Sequence, residues 1–320
     1  MIGGRAMSRI VAIGETNLDL IVTDVPRLPE MGQEVIVGGM QLTLGGSTAI
    51  LACQLARFGD QVTFISKVGD DEFGREALGF LRQCGVSTNA IIVDRSLATG
   101  LTIAVSVGSE RFMLTHLGCI EQVRWEDIRW DLVGGCKHLH ISSYYLQREL
   151  RPHVPRIFAR AKEPGLTTSL DTGWPAEATY AEELAQVWPH LDVFLPNEAE
   201  AKLLSDQSTV EEALDVLGSW VPTVAVKLGP EGAIARSGDE IARSPGFVVE
   251  VVDTTGAGDC FNGGFLHSYL AGDSLQECLD LGNACGALST RGSGGTTTQA
   301  GVEEAMRFIR TAPRREGGER

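Results

Sequence analysis

Two carboxylates and a run of small residues crowd the stretch DTTGAGDCFNGG, Asp253 to Gly264. Asp259 follows directly on Gly256, Ala257 and Gly258. From Cys260 onward Phe261, Phe265, Leu266, Tyr269 and Leu270 recur at helical spacing, and Gly272 closes the pattern. Gly-Ala-Gly therefore falls at a helix N-terminus, where amide N–H groups lack intrahelical partners and the dipole end is positive. Bare amides in that position can surround phosphate oxygens or a developing negative charge. A carboxylate in the first helical turn can then take a proton from a hydroxyl that attacks a phosphoryl group. The plainer alternative is a glycine turn followed by an Asp that only stabilises the helix end. The spacing does not match the dinucleotide pattern GxGxxG, and no GxxxxGK[ST] phosphate loop is present.

The elements that must position this stretch are legible from period and punctuation. RIVAIGETNLDLIV (Arg9 to Val22) reads as an apolar strand that continues into alternation, STAILACQLARFG (Ser47 to Gly59) as a helix of small and apolar residues, QVTFISKVG as a strand and EFGREALGFLRQCG as a helix. After residue 130, KHLHISS, LTTSLDT, DVFLPN and TVAVKLG read as short buried strands separated by helical segments such as VPRIFARAKEPG and TVEEALDVLGSW. Strands alternating with helices predict a mostly parallel sheet covered on both faces, with ligands bound beyond the carboxyl ends of the strands.

Two segments break that rhythm. EVIVGGMQLTL (Glu34 to Leu44) and TGLTIAVSVGSERFMLTHLG (Thr99 to Gly118) alternate with period two and have no helix between their strands, and Val107-Gly108-Ser109-Glu110 reads as a hairpin turn. They predict a small antiparallel sheet, either an edge extension of the main one or a lid over the site. The domain expected from these patterns covers residues 8–312, with a discontinuous lid at about 16–44 and 99–118. Residues 313–320 are expected to form a disordered tail.

The bulk properties narrow the function classes. The 320 residues carry 27 Lys and Arg against 42 Asp and Glu, a net charge of −15, with no basic stripe. Nucleic acid and anionic membranes are therefore excluded as expected partners. No run approaches the roughly 18 apolar residues of a membrane span. The start of the chain lacks a signal-peptide pattern. The seven cysteines form no CxxC and are odd in number, which predicts free thiols, a cytoplasmic location and no zinc site.

Taken with its context, DTTGAGDCFNGGF resembles the C-terminal signature of the ribokinase-like (PfkB) carbohydrate kinases. Leu44-Gly45-Gly46-Ser47, the helix after it and Arg57-Phe58-Gly59 resemble that family's N-terminal signature, and GETNLD, VGDDEFG, LPNEAEA and VKLGPEGA lie between them in the family's order. The resemblance runs from about Arg9 to Ile309. It implies a three-layer α/β/α sandwich with a β lid, and transfer of the γ-phosphate of ATP to a sugar hydroxyl. By that resemblance Asp259 is the base and Gly256, Ala257 and Gly258 form the anion hole. Asn17, Asp19, Gly45, Gly46 and Ser47 hold the sugar. Asn197, Lys227, Gly229 and Asn283 line the nucleotide site, the last of them against adenine. Glu200 helps to place Mg²⁺, while Asp253, Thr255, Ser289, Gly292, Gly294 and Thr298 form a loop pair for a monovalent cation, K⁺. A homodimer joined through the lids is the expected assembly.

One position departs from the family pattern: Ile50 stands where GGxxxN carries an Asn that faces the sugar. Other residues for the substrate face are Arg111 and His116 on the hairpin, the run Ser142 to Gln147, and Trp174. Arg111 reads equally as a surface charge, and Tyr144 and Tyr145 as core. With no cluster of basic residues, an unphosphorylated sugar is expected. Two other readings stand beside the sugar kinase. One is a nucleoside kinase, with Tyr144, Tyr145 or Trp174 as an aromatic slot. The other is a sugar-binding protein without catalysis, which would need neither Asp259 nor a metal site.

Overall fold

Arg9–Ile13 (β1) is a strand buried on both faces. Ile10 and Ala12 belong to one apolar cluster, Val11 and Ile13 to another, and all four are 0% exposed. A strand of that kind must lie inside a sheet with helices on both sides. In the computed structural model, which describes residues 7–107, 110–173 and 180–315, it does. The remaining strands are β2 (Asn17–Thr23), β3 (Gly39–Gly45), β4 (Gln61–Gly69), β5 (Ile91–Asp94), β6 (Gly100–Val107), β7 (Glu110–His116), β8 (His138–Ile141), β9 (Thr167–Leu170), β10 (Val193–Phe194), β11 (Thr223–Lys227), β12 (Gly232–Ser237) and β13 (Glu240–Pro245). The helices are α1 (Ser47–Arg57), α2 (Glu72–Gln83), α3 (Trp130–Val133), α4 (Val154–Lys162), α5 (Tyr180–Leu184), α6 (Glu198–Ser205), α7 (Val210–Trp220), α8 (Ala257–Ala271), α9 (Leu275–Ser289) and α10 (Val302–Thr311).

The main sheet has nine strands in the order β13-β12-β11-β10-β9-β8-β1-β4-β5. Every pair from β11 to β5 is parallel, and only the β11–β12 and β12–β13 hairpins are antiparallel. One face is covered by α4, α6 and α7 through Ile157, Phe158, Leu204, Leu214 and Leu217. The other is covered by α1, α2, α8 and α9 through Leu51, Leu55, Leu81, Phe265 and Leu279. Each such fully buried side chain contributes roughly 1.5–3 kcal/mol relative to exposure. The three-layer expectation therefore holds.

The segment Arg9 to Val22 is two strands rather than one. The chain leaves the main sheet after Ile13 and enters a second sheet at Asn17. At the break Gly14 lets helix α1 come close, since a Cβ there would sit 2.1 Å from Thr48 Oγ1. The second sheet runs β3-β2-β6-β7. Its outer pairs are antiparallel hairpins, and the central β2–β6 pair is parallel, with Asp19 opposite Thr102. Strand β3 starts at Gly39 instead of Glu34, because Gly39 pairs with Thr23, the last residue of β2, and past it the pairing dwindles to one bond from Gly38 N to Asp24 O at 3.3 Å. The turn at Gly108-Ser109 lies outside the described residues.

Alternation gives the small sheet two unlike faces. Asn17, Asp19, Thr43, Gln41 and Ser106 fall on one side, and Leu20, Val22, Leu42, Ile103, Val105 and Leu114 on the other. Asp71 fastens the sheet to the body. It caps α2 through Gly74 N at 2.7 Å and accepts from Thr99 N and Oγ1 at 2.8 and 2.7 Å, just ahead of β6. Residues 313–315, at the start of the expected tail, are held against the body. Arg314 bridges to Phe247, pairs with Asp280 at 2.8 Å and stacks on the Phe247 ring at 4.5 Å. Residues 316–320 lie outside the described ones.

Candidate active site

The strand ends β1, β8, β9, β10 and β11 and the N-termini of α1, α6 and α8 meet at one edge of the main sheet, and the expected site residues gather there. Gly256 is the N-cap of α8, with φ 73° and no side-chain cap, and Asp259 sits in the first turn. The positive φ suits glycine, and space demands it as well: a Cβ would stand 2.7 Å from the Gly295 Cα. Replacing Gly256 with alanine should therefore shift the anion hole and its loop together. We expect a loss of turnover of roughly 100-fold, the scale of a 1 Å misplacement. Steady-state ADP release beside a melting curve would measure it, and unchanged turnover would refute the assignment.

Asp259 reaches the cleft, yet its pKa stands well above the ordinary carboxylate value. Burial is the largest cause and Asp171 the next; Glu15 adds to the rise, while Lys227 and hydrogen bonding from the Ser47 side chain oppose it. The expected sugar residues lie on the same side. Asn17 Nδ2 donates to Asp19 Oδ1 at 2.9 Å, and both residues are buried. A Cβ on Gly45 would fall 2.3 Å from Asp19 Oδ1, and one on Gly46 would fall 3.0 Å from Asn17 Oδ1. Asn17, Asp19, Gly45, Gly46 and Ser47 are thus one cluster, at the start of the helix α1 that packs on Gly256 through Ile50.

Lys227 is the cation of the site. Its ammonium is 2.6 Å from Asp171 Oδ2 and 3.2 Å from Asn262 Oδ1, and Asn262 Nδ2 donates to the same Asp171 oxygen at 2.6 Å. The side chains of Lys227 and Asp171 are only 13% and 8% exposed. Burial works against the Lys227 charge, but Asp171, Glu200 and Asp259 outweigh it and hold the pKa above the ordinary value. A Cβ on Gly258 would lie 3.7 Å from Lys227 Nζ, so the cation borders the anion hole. Asp171 and Asn262 were missed in the sequence. The available signals were their places at the carboxyl end of LTTSL and one turn after Asp259.

Asn197 and Glu200 form a reciprocal capping box on α6. Asn197 Oδ1 accepts from Glu200 N and Glu200 Oε2 accepts from Asn197 N, each at 2.9 Å. Burial, followed by Asp171, pushes the Glu200 pKa up to about 7. A buried acid held in this way fits a cation partner. Among the described residues no three His, Cys, Asp or Glu side chains converge as a metal cage, which suits an ion such as Mg²⁺ that keeps water and phosphate ligands. Gly229 has φ 58° with open space around it. Asn283 Nδ2 is spent on Ser244 O and Oγ, both at 2.9 Å, in the network that also holds Arg314.

The cation loops also come together. Asp253 accepts from Thr255 N and Oγ1 at 3.0 and 2.7 Å and from Gly294 N at 2.9 Å. Thr298 Oγ1 donates to Ser289 O at 2.8 Å, and Gly292 packs on the Thr298 methyl. Asp253 and Ser293 close one side of a cavity of about 360 Å³ under the lid, lined opposite by Thr23, Gln41 and Ser106.

Ile50 is 2% exposed, and its side chain lies against Gly256, the N-cap of α8, and Gly295. Tyr144 and Tyr145 are core residues, packed edge-on at 5.2 Å. His116, opposite Leu101, lies on the apolar side of the lid. The Arg111 side chain and Trp174 lie outside the described residues.

Known proteins are similar to this chain over nearly its whole length. A family model described as pfkB family carbohydrate kinase matches residues 7–300. An ATP-dependent ribose-1-phosphate kinase of Halopiger xanaduensis is 32% identical over 95% of this chain and 98% of its own. Fructokinase-2 of Oryza sativa subsp. japonica is 29% identical over 95% of this chain and 94% of its own. A protein of E. coli described as a ribokinase II candidate, in complex with ATP and Mg²⁺, superposes with a TM-score of 0.84 at 27% identity, over 95% of this chain and 99% of that one.

Proposed function

Because the chain belongs to the pfkB family of carbohydrate kinases, phosphotransferases acting on sugar hydroxyls, we propose that it moves the γ-phosphate of ATP to a hydroxyl of an uncharged sugar, with Asp259 as the base. The observation that carries this is the packing of α1 on α8. Ile50 lies against Gly256, and so the Asn17–Asp19–Gly45–Gly46 cluster at the start of α1 stands beside the head of α8.

In this reading Asn17 and Asp19 hold the acceptor sugar, because a carboxylate accepts from two vicinal hydroxyls. As the sugar oxygen attacks the γ-phosphorus, Asp259 takes its proton, the new P–O bond forms and the bond to the ADP oxygen breaks. The amides of Gly256 and Gly258 face the charge on the transferred group, with Lys227 beside them, while the Ala257 amide donates to Thr254 O at 3.2 Å before any phosphate binds. Asn197, Gly229 and Asn283 border the nucleotide. Mg²⁺, held near Glu200, would neutralise phosphate charge when bound. The loops of Asp253, Thr255, Ser289, Gly292, Gly294 and Thr298 would hold K⁺.

Charge supports an uncharged acceptor. Glu15, Asp19, Asp171 and Asp259 surround this end of the cleft, and among the described side chains the cation there, Lys227, is already paired with Asp171. The core placement of Tyr144 and Tyr145 favours a sugar over a nucleoside. ADP release with Mg-ATP should therefore be faster with free pentoses, hexoses or ketoses than with their phosphates or with nucleosides. A sugar phosphate as best substrate would overturn the uncharged-acceptor reading.

We assign the apolar outer face of the lid to a second copy of this chain. Met40, Leu114 and Phe112 are 70%, 61% and 37% exposed there, and a sheet face of that kind is stable when covered. Leu114→Glu should convert a dimer to monomer in sedimentation experiments. A wild-type monomer at micromolar concentration would refute this assembly.

A further inference from the structure

We propose that Glu15 is a positioning residue, whose carboxylate fastens the start of α1 and the turn at 143–147 to the end of β1 and so sets Ser47, and helix α1 with it, against the head of α8 that carries Asp259. The proposal rests on the reading above only in taking Asp259 as the base. Four neutral donors converge on Glu15. Ser47 N and Ser143 Oγ each donate to Oε1 at 2.7 Å, and Thr48 Oγ1 and Gln147 Nε2 each donate to Oε2 at 2.9 Å. The residue is 3% exposed. A carboxylate offers about four acceptor sites and no donor, so this set is filled and the group cannot turn. A glutamine would set its own N–H groups against two of those donors.

The chemistry of α1 calls for this contact. Its N-cap is Gly46, with φ 91° and no side-chain cap, so the first amide has no local partner, and Glu15 supplies one from 32 residues away. A Cβ on Gly46 would stand 2.9 Å from the Glu15 carbonyl oxygen, so the two segments are pressed together at the start of the helix whose Ile50 packs on Gly256, the N-cap of α8. Asn17 and Asp19 follow on the same strand. One carboxylate therefore sets the relative places of the acceptor cluster and the base.

The test is a double-mutant cycle with Glu15→Gln and Ser47→Ala, read as kcat for ADP release with Mg-ATP and the free sugar that the wild type turns over fastest. Glu15→Gln should lower kcat by roughly 100-fold, as for a 1 Å misplacement. Its effect should largely vanish in the Ser47→Ala background, because coupled residues are not additive. A loss of folded fraction would instead multiply through both backgrounds, and that result overturns the proposal, as does kcat within about threefold of wild type in Glu15→Gln. If Glu15→Gln does not fold, Gln147→Met, which keeps the carboxylate and removes one donor, takes its place in the cycle. Amide exchange of the ligand-free protein decides the case where no sugar is turned over. Loss of protection confined to residues 46–50 and 142–147 in the variant supports the fastening, and unchanged protection overturns it. Absence of turnover in the wild type would count against the kinase reading alone.

Discussion

Asp259→Asn should lower turnover by roughly 10²–10⁴-fold, the range that a positioned base contributes, while the protein stays folded and still binds sugar and ATP. The amide keeps the size and one acceptor of the carboxyl but cannot take the proton of the attacking hydroxyl. Stability provides a second, opposite signature. The folded-state pKa of Asp259 is raised, first by burial and then by Asp171, so the folded protein holds this proton more tightly than the unfolded chain. The contribution of Asp259 to stability is then greatest at low pH and is lost as pH rises through the folded pKa. Asparagine carries no such penalty, so the variant should melt at or above the wild-type temperature near pH 8, with the difference shrinking toward pH 4. The same raised pKa places the acid limb of the wild-type rate above about pH 4, where an ordinary aspartate titrates. A rate profile flat down to that pH, or a variant with wild-type turnover, would sink the assignment.

Lys227→Met should cost stability and activity together, and a second substitution should separate them. Removing the ammonium leaves Asp171 buried beside Asn262 without its cation, and breaking a buried pair from one side costs about 3–5 kcal/mol. Denaturant unfolding would measure the loss. Adding Asp171→Asn removes the stranded charge and should recover most of the stability, since neutralising both partners leaves little to desolvate. Turnover should not recover. Lys227 lies beside Gly258 at the anion hole, and losing a group that stabilises charge there costs roughly 10²–10³-fold. A double variant that regains wild-type turnover would show that Lys227 acts only as the counter-ion of Asp171.

Much of the fold was written in local pattern. The period of KHLHISS, LTTSLDT and TVAVKLG, with helices between them, was enough for a parallel sheet covered on both sides, because each strand must bury both faces. The head of α8 was legible for a similar reason. Gly256 to Asp259 and the apolar spacing after them are contiguous, and a helix N-terminus is a local feature. Where the sequence was read too far, pairing was the missing term. Arg9 to Val22 looks like one strand until Gly14 admits α1 and the chain changes sheets, and Glu34 to Gly38 alternate past the end of β2, the strand they would have extended along.

By itself the sequence determined the three layers, the strands of the small sheet, and the glycine-rich helix head with Asp259 in its first turn, all of which depend on neighbours in the chain. Only the tertiary structure decided that Asp171 and Asn262 hold Lys227, that Ile50 supports Gly256 and Gly295, and that Glu15 ties together Ser47, Ser143 and Gln147. Those partners stand tens to hundreds of positions apart. A carboxylate buried in this way is stable only once folding brings its donors or its cation to it.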